Sequence, residues 1–307
     1  MPGLLDRRLI FVTGKGGVGK SSVAIALGLA AARTGRRTIV AELASQERVR
    51  ASFGRNGDTF EEVALGERLF TISIDPESAM EEYLRVKTGP VGQALGASRV
   101  FQAFAMATPG MRELLSMGKV WELAQLQRRT NGAAPYDLVI VDSPAAGHGI
   151  GLLRTPRTFA EIARVGPIAA TAKRIAATIA DPSFTAVLAV ATAEEMPVNE
   201  TLWLSTVLAA EGIQLDGVIV NALYPERFSA ADARKLQKAH RVDNAAPATA
   251  ALGAALSLHT RAAAQREQLA RLTEGLRGDP LQLPYLFAEA FGREELEALA
   301  DVLGQLP

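Results

Sequence analysis

The chain has 307 residues with 33 basic and 33 acidic side chains, a formal net charge of zero and no cysteine. This length is sufficient for a sizeable core, and the balanced charge argues against a strongly basic nucleic-acid surface. The lack of cysteine excludes disulfides, thiolate metal sites, iron–sulfur clusters and cysteine nucleophiles. Charged residues interrupt any signal-peptide core near the start, and the longest apolar runs are about half of the ~20 residues that cross a bilayer. We therefore expect a soluble, cytosolic protein.

Continuous apolar runs predict a parallel sheet that helices cover on both faces. The predicted strands, in chain order, are Leu9–Thr13, Thr38–Ala41, Leu69–Ile74 near an edge, Leu138–Val141, Thr185–Ala193 and Leu215–Val220. An alanine- and leucine-rich segment, Ser21–Thr34, predicts a helix between the first two strands, which gives a crossover of about 30 residues. The pattern indicates an α/β, doubly wound fold with a mostly parallel sheet.

Two long stretches do not alternate with strands. The first covers about residues 75–130, is interrupted at Gly89-Pro90 and Pro109-Gly110, and predicts a helical insert within a single domain that spans the chain. The second, Pro225–Gly278, predicts a long helix near Thr249–Leu276. For this second stretch, a surface helix that merely covers the sheet is an equally good interpretation.

A phosphate-binding loop of the form G-x-x-x-x-G-K-[ST] lies between the first predicted strand and the first predicted helix, the context that this motif requires. With the serine that follows, its residues are Gly14, Lys15, Gly16, Gly17, Val18, Gly19, Lys20, Ser21 and Ser22. Glycines let backbone N–H groups approach phosphates, and the helix N-terminus adds a partial positive charge. We expect Lys20 to reach the β- and γ-phosphates and the Ser21 hydroxyl to bind Mg²⁺. The predicted cofactors are therefore ATP or ADP and Mg²⁺.

A second lysine, Lys15, follows the first glycine of this loop and gives it the form K-G-G-V-G-K-S. In this feature the sequence resembles the deviant Walker A class of dimeric P-loop ATPases. The resemblance implies that Lys15 crosses a dimer interface to the partner's nucleotide. A solvated loop lysine is the alternative interpretation.

Further motifs narrow the resemblance to the ArsA-like ATPases, which include the tail-anchored-protein targeting ATPases. The run DSPAAGH at residues 142–148 is similar to their switch sequence, and Pro109–Glu113 resembles a P-G-x-x-E element in their helical insert. Glu200-Thr201 and Val220-Asn221 match their E-T…V-N pattern. The motifs occur in the family's order, so the chain is identified as a member of this family.

Several residue roles are implied by the resemblance. Asp142, at the end of a predicted buried strand, is expected to hold the water shell of Mg²⁺. Asn221 is expected to read adenine, and Pro284 is expected to form a wall of the adenine pocket. His148 belongs to the matched switch sequence, although a lone histidine after a glycine is as often structural or exposed to solvent.

The chain departs from the family pattern after the second predicted strand. The family carries a switch I Asp there, which orients the attacking water, but counting along this strand puts Ala44 at that position. A methyl group cannot accept a hydrogen bond from water, so hydrolysis is expected to be weak unless Glu42 or Glu47 substitutes. Without cysteine, the chain has neither the arsenite thiolates of ArsA nor the zinc clasp of the targeting ATPases.

The resemblance implies a dimeric ATP-dependent switch that couples nucleotide state to a hydrophobic client or lipid-like ligand in the helical insert. The dimer is either a homodimer or a heterodimer with a second ArsA-like ATPase. In the alternative function, this chain binds nucleotide without hydrolysing it, donates Lys15 in trans and activates the paralogous subunit. The acidic C-terminal segment speaks against a membrane-binding helix, and the zero net charge against DNA binding.

Four of the six methionines lie in the predicted insert: Met80, Met106, Met111 and Met117, with Phe101 and Phe104 nearby. Flexible thioethers suit a surface that accepts varied apolar ligands. For most of these residues, packing within the insert's own core is the preferred interpretation. Val100–Ala107 is the segment most expected to contact a client or an opposing insert.

Overall fold

The structure is a computed structural model that describes residues 3–43, 47–96, 103, 106–130, 133–162, 166–242, 246–276, 278–289 and 291–305. Its described strands form one eight-stranded sheet in the order β3-β4-β2-β5-β1-β6-β7-β8. The strands are β1 (Leu9–Thr13), β2 (Thr38–Leu43), β3 (Val63–Ala64), β4 (Leu69–Ile74), β5 (Leu138–Asp142), β6 (Thr185–Thr192), β7 (Gly217–Leu223) and β8 (Leu281–Pro284). All neighbouring pairs are parallel except β3 with β4. The predicted doubly wound, mostly parallel α/β sheet is confirmed.

Helices cover both faces of this sheet. They are α1 (Lys20–Arg33), α2 (Arg48–Ser52), α3 (Pro76–Gly96), α4 (Met111–Leu123), α5 (Ala146–Ile162), α6 (Pro167–Ala180), α7 (Glu195–Ala210), α8 (Ala230–Val242), α9 (Ala246–Gly275) and α10 (Arg293–Leu303). Helices α1 and α10 pack on the face that includes Ile10 and Ile140, whereas α4 to α7 pack on the face that includes Phe11 and Val141. Both sides of each central strand are therefore buried, which explains their continuous apolar sequences. None of the described helices is long and apolar enough to span a membrane.

The predicted strand positions are confirmed most closely near the centre of the sheet. Strand β1 and the near-edge strand β4 have the predicted bounds, and β2 and β5 extend slightly further than predicted. Strand β7 was predicted at Leu215–Val220 but runs from Gly217 to Leu223. Leu215 packs against the core before the strand begins, so its hydrophobicity reflects packing rather than strand pairing. Strand β8 was not predicted, because a four-residue strand at the sheet edge has little sequence signal.

One of the two interruptions predicted in the insert is wrong. Helix α3 continues through Gly89 and Pro90 to Gly96, although both residues have a low helix propensity. The interruption at Pro109-Gly110 is confirmed, because Gly110 has a φ of 78° and α4 begins at the next residue. The predicted long helix near Thr249–Leu276 is also confirmed, as α9.

The order of the strands creates a crevice at the carboxyl end of β1. This strand lies between β5 and β6, and the chain continues toward opposite edges of the sheet on its two sides. In open parallel sheets, ligands bind at such reversal points, outside the carboxyl ends of the strands. The phosphate loop follows β1 directly and therefore lies at this crevice.

Candidate nucleotide site at the carboxyl ends of the strands

The loop between β1 and α1 depends on its glycines for both conformation and space. Gly14, Gly17 and Gly19 have φ values of 139°, 86° and 92°, which are unfavourable for residues with a Cβ. A Cβ on Gly14 would lie 2.1 Å from the carbonyl oxygen of Val190, and one on Gly19 would lie 2.3 Å from Nδ2 of Asn221. The loop therefore fits tightly against β6 and β7.

Two hydrogen bonds fix the loop to neighbouring elements. The backbone N–H of Ala146, the first residue of α5, donates to the carbonyl of Gly14 at 3.0 Å. The side-chain Nδ2 of Asn221, on β7, donates to the carbonyl of Val18 at 3.0 Å. The loop is thus attached on one side to the predicted switch segment and on the other to the residue predicted to read adenine.

Lys20 lies at the start of α1, where it extends back over the loop. Its Nζ donates to the carbonyl of Lys15 at 3.0 Å. Burial lowers the pKa of Lys20 below its ordinary value, while the nearby carboxylates of Asp142 and Glu200 act in the opposite direction. The ammonium group is thus close to a loop carbonyl and to the acidic end of β5.

Asp142 and Glu42 are neighbours at the carboxyl ends of two paired strands. They face each other in the register of β5 and β2, and both residues are buried. Burial raises the pKa of Asp142, whereas a hydrogen bond from the Ser21 side chain and the charges of Lys20 and Arg48 oppose this effect. The structure thus brings together the predicted serine and aspartate and adds a second carboxylate to them.

Glu42 is the more constrained of the two acids, since it is only 1% exposed. Its Oε1 accepts hydrogen bonds from the backbone N–H groups of Arg48 and Val49, at 2.8 and 3.2 Å, at the start of α2. Its Oε2 is buried and has no hydrogen-bond partner among the residues that the structure describes. Burial, which outweighs these backbone hydrogen bonds, raises the pKa of Glu42 to about 7.

Glu47, the other acid predicted as a possible substitute at switch I, is differently placed. Its carboxylate accepts a hydrogen bond from the Thr59 hydroxyl at 2.8 Å and pairs with Arg50 at 2.7 Å. Glu47 is thus bound by its own neighbours, whereas Glu42 has one oxygen without a hydrogen-bond partner among the described residues. Ala44 lies outside the described residues.

The oxygen groups at this position fit Mg²⁺. The hydroxyl of Ser21 and the carboxylate of Asp142, which are hydrogen-bonded to each other, are hard oxygen ligands of the kind that this ion prefers. Mg²⁺ commonly keeps several waters and takes only one or two carboxylates together with phosphate oxygens. Nowhere in the described part of the chain do three or more His, Cys, Asp or Glu side chains form a metal-binding group, so a nucleotide would have to complete the coordination.

The side chain of Lys15 reaches α7. Its side chain is 36% exposed, and its Nζ lies 3.8 Å from Oε2 of Glu200 on α7. The sequence-matched glutamate of the E-T pair therefore holds Lys15 within its own chain in this structure. The contact is long and partly solvated, so it is weak.

The predicted adenine side of the site is formed by the ends of β7 and β8. Asn221 lies near the end of β7, and Pro284 is the last residue of β8 and is exposed. Next to them is an aromatic group that sequence analysis missed, in which Tyr224 stacks on Tyr285 with ring centroids 4.6 Å apart and Phe287 contacts Tyr285 edge-on at 4.9 Å. Its members are separated by about sixty residues, so only the pairing of β7 with β8 brings them together.

The predicted switch segment connects β5 to α5. Its Ser143 N–H donates to the carbonyl of Val12 at 3.0 Å, and a Cβ on Gly149 would lie 2.8 Å from Oγ1 of Thr13. The first turn of α5 is thus packed directly against the end of β1. His148, in the same turn, is exposed.

An apolar cavity of about 140 Å³ lies between α3, α4 and α6, away from the phosphate loop. Its apolar walls include Met80, Tyr83, Met111, Leu114, Leu115, Ile168 and Ile175. Met117, by contrast, is buried in the main core against the sheet rather than in a separate core of the insert. Phe101, Phe104 and most of the Val100–Ala107 segment lie outside the described residues.

A network of buried ion pairs borders this cavity and was not predicted. Lys119 pairs with Glu82 at 2.8 Å, and Arg128 pairs with Glu122 at 2.8 Å and also binds Glu62. Burial alone would lower the pKa of Arg128, but its hydrogen bonds to the two carboxylates outweigh this and raise it. These residues come from separate parts of the sequence, so no local spacing indicates the network.

A mostly parallel sheet has a G-x-x-x-x-G-K-S loop after its central strand β1 and an aspartate at the end of the adjacent strand β5. This combination defines a P-loop nucleotide-binding protein. The profile of the anion-transporting ATPases, the ArsA ATPase family, matches residues 7–166 and 161–248. The chain belongs to this family.

Individual relatives agree with this assignment. The chain is 29% identical to the ATPase BagA of Mycobacterium tuberculosis over 235 residues, which cover 74% of this chain and 68% of the relative. It is 28% identical to the ATPase GET3 of Candida glabrata over 256 residues, 71% of this chain and 73% of the relative. It is 25% identical to the arsenical pump-driving ATPase of Escherichia coli over 244 residues, 73% of this chain but only 40% of that longer protein.

Proposed function

We propose that this chain is an ATP-binding switch of the ArsA-like type that couples its nucleotide state to the apolar cavity between α3, α4 and α6. The observation that carries the proposal is the hydrogen bond from Ala146, the first residue of α5, to Gly14 in the phosphate loop. Helix α5 packs against α4 and α6, which form two walls of the cavity. A displacement of the loop is thereby transmitted to the cavity through one helix.

In this proposal, the loop binds the phosphates of ATP or ADP. Backbone N–H groups from Gly14 to Ser22 and the start of α1 surround the phosphates, and Lys20 turns from the carbonyl of Lys15 to the β- and γ-phosphates. Ser21 and Asp142 hold Mg²⁺, which when bound neutralises charge on the phosphate oxygens.

Asn221 is proposed to select adenine, and its present hydrogen bond supports this role. Because Nδ2 donates to the carbonyl of Val18, Oδ1 is left to accept a hydrogen bond from the base. The 6-amino group of adenine is a donor, whereas the 6-oxo group of guanine is an acceptor. Pro284, exposed at the end of β8, is proposed to cover one side of the base.

Glu42 is proposed to position or deprotonate the attacking water. A general base works best when its pKa is close to the operating pH, and burial raises the pKa of Glu42 to about 7. Its Oε2, which has no hydrogen-bond partner in the described part of the chain, can accept a hydrogen bond from water. Glu42 is thus the best-supported substitute for the Asp that is missing at Ala44.

The cavity is proposed to take a hydrophobic client or lipid-like ligand. A volume of about 140 Å³ is close to that of a dry apolar cavity known to bind benzene, about 150 Å³. The site is therefore suited to one ring or a short aliphatic segment of a larger molecule.

An alternative is a non-hydrolysing subunit that pairs with a second ArsA-like ATPase and donates Lys15 in trans. This alternative is favoured by the structural role of Glu42, whose Oε1 already accepts the first N–H groups of α2. A residue with this fixed role is less free to act on water. A homodimer in which each chain donates Lys15 to its partner belongs to the first proposal.

Steady-state ATP hydrolysis by the purified chain, with ATP binding measured in parallel, tests the proposal. The Lys20→Ala variant serves as the blank, because loss of the phosphate-binding lysine is expected to lower turnover at least about 100-fold. A rate well above the blank supports the self-sufficient switch. A rate equal to the blank with ATP still bound supports the alternative, and a wild-type chain that does not bind ATP contradicts both.

A further inference from the structure

Strand β7 departs from regular geometry immediately after Asn221. Its pairing with β8 shifts between Val220 and Leu223, and Ala222 has a φ of 58°. This left-handed conformation is unfavourable for any residue with a Cβ, and such backbone persists only where the surrounding structure holds it in place. Asn221 is the residue directly before this irregularity, so the backbone conformation of Ala222 affects where the Asn221 side chain points.

Gln265, on α9, holds the irregular segment at both ends. Its Nε2 donates to the carbonyl of Ala222 at 3.0 Å, and its Oε1 accepts from the N–H of Tyr224 at 2.8 Å. The side chain is buried, at 8% exposure. Because the amide is bonded to both backbone groups, its loss would remove a hydrogen bond at each end of the segment.

From this geometry we propose that Gln265 is a positioning residue for the selection of adenine over guanine. It stabilises the left-handed Ala222, so that the preceding Asn221 keeps Nδ2 on the carbonyl of Val18 and Oδ1 toward the base. The inference rests on the proposed binding of ATP and on the proposed role of Asn221. Gln265 itself does not contact the nucleotide.

If Gln265 only stabilised the fold, its replacement would have a different effect from the one expected for a positioning residue. Helix α9 is largely built of alanine and polar residues, and an apolar side chain at this buried position would be the simpler means of packing. A purely structural Gln265 would change the stability of the protein but leave the ratio of ATP to GTP affinity unchanged. The ratio of the two affinities therefore separates the roles.

The test uses the full chain with Gln265→Leu and measures the dissociation constants of ATP and GTP in the presence of Mg²⁺. Two hydrogen bonds are lost, so we expect the preference of ATP over GTP to fall about tenfold. Gln268→Leu, the same change one turn along α9, is the matched control. It is expected to keep the wild-type ratio, because Gln268 contacts Arg271 rather than β7.

A second substitution tests whether the effect passes through the backbone. Glycine adopts positive φ without a steric penalty, so Ala222→Gly added to Gln265→Leu is expected to restore much of the lost preference. If Gln265→Leu does not fold, Gln265→Glu takes its place, because a carboxylate can still accept from Tyr224 but cannot donate to Ala222.

An unchanged ATP-to-GTP ratio in a folded Gln265 variant, or no recovery with Ala222→Gly, overturns the inference. These results leave the proposed function intact as long as the wild-type chain binds ATP. A wild-type chain that does not bind ATP, or that binds GTP equally well, instead contradicts the proposed function and with it the role of Asn221.

Discussion

The nucleotide end of the sheet and the region between α3 and α4 both bury polar groups, but they hold them by different means. At the phosphate loop, the polar groups are held by the main chain, through positive φ at Gly14 and Gly19 and through hydrogen bonds to the loop carbonyls. Between α3 and α4, side chains hold one another through the pairs of Lys119 and Arg128 with glutamates. In the first arrangement, Lys15 makes only a long contact with Glu200, whereas in the second, Arg128 joins the segment after α4 to Glu62 beside β3.

The largest expected effect is on the side-chain network. Replacing Arg128 with Met leaves the buried carboxylate of Glu122 and the partly buried carboxylate of Glu62 without their main partner, so the free energy of unfolding should fall by about 3–5 kcal/mol. Urea unfolding at neutral pH measures the change. Arg129→Met is the control, because the guanidinium contact described for this residue is with the Trp121 ring, which contributes about 1 kcal/mol or less. Equal losses in the two variants would contradict a special role for the network.

At the nucleotide end, the corresponding test is the pH dependence of stability. The pKa of Glu42 is about 7 in the folded protein, against an ordinary value of 4.5, so the folded state binds a proton more tightly than the unfolded state. The contribution to stability is complete below the ordinary pKa and is lost as the pH rises through about 7. Over this window, wild type should lose up to about 3 kcal/mol relative to Glu42→Gln.

Chemical unfolding of the nucleotide-free protein at a series of pH values measures this difference. Glu47→Gln is the control, since the Glu47 carboxylate is partly exposed and already paired. In this variant, the free energy of unfolding should change with pH as it does in the wild type. A Glu42→Gln variant with the same slope as wild type would show that burial of this acid has no proton-linked cost.

The same contrast explains what could be predicted from sequence. The phosphate loop is a local pattern, so the positions of Gly14 to Ser22 relative to β1 and α1 follow from spacing alone. The juxtaposition of Glu42 with Asp142 requires the register of β2 against β5. The ion pairs of Arg128 and the clamp of Gln265 on β7 join residues far apart in the chain, and no periodicity encodes them. Propensity likewise fails at Pro90, where α3 continues.

A smaller effect is expected from filling the cavity. Gly118 on α4 lines the cavity, and a Cβ added there would meet no atom within 4 Å. Gly118→Leu should therefore occupy the space. We expect the free energy of unfolding to change by about 1 kcal/mol or less, because the higher helix propensity of leucine offsets the cost of crowding. Benzene should raise the melting temperature of wild type and of Gly118→Ala but not of Gly118→Leu. A similar rise in all three proteins would mean that the probe binds elsewhere.

The smallest expected effect, and the most specific, is the ATP hydrolysis recovered when two inactive variants of the chain are mixed. If Lys15 acts across a homodimer, a Lys15→Ala chain keeps its own phosphate-binding Lys20, and a Lys20→Ala chain supplies the missing Lys15. Half of the dimers in an equal mixture are then mixed, each with one complete site, so turnover should recover to about a quarter of the wild-type rate. The measurement is ATP hydrolysis after the variants are mixed and allowed to exchange subunits.

Failure of the mixture to recover, with an active wild type, would mean that Lys15 acts within its own chain, where its contact with Glu200 already holds it at 3.8 Å. The weakness of this contact favours recovery of activity in the mixture. An exposed pair of this length contributes about 0–1 kcal/mol, so a partner's phosphates can readily displace Glu200. A loop that is rigid at Gly14 and Gly19 but carries one loosely held lysine is suited to a site that is completed from outside the chain.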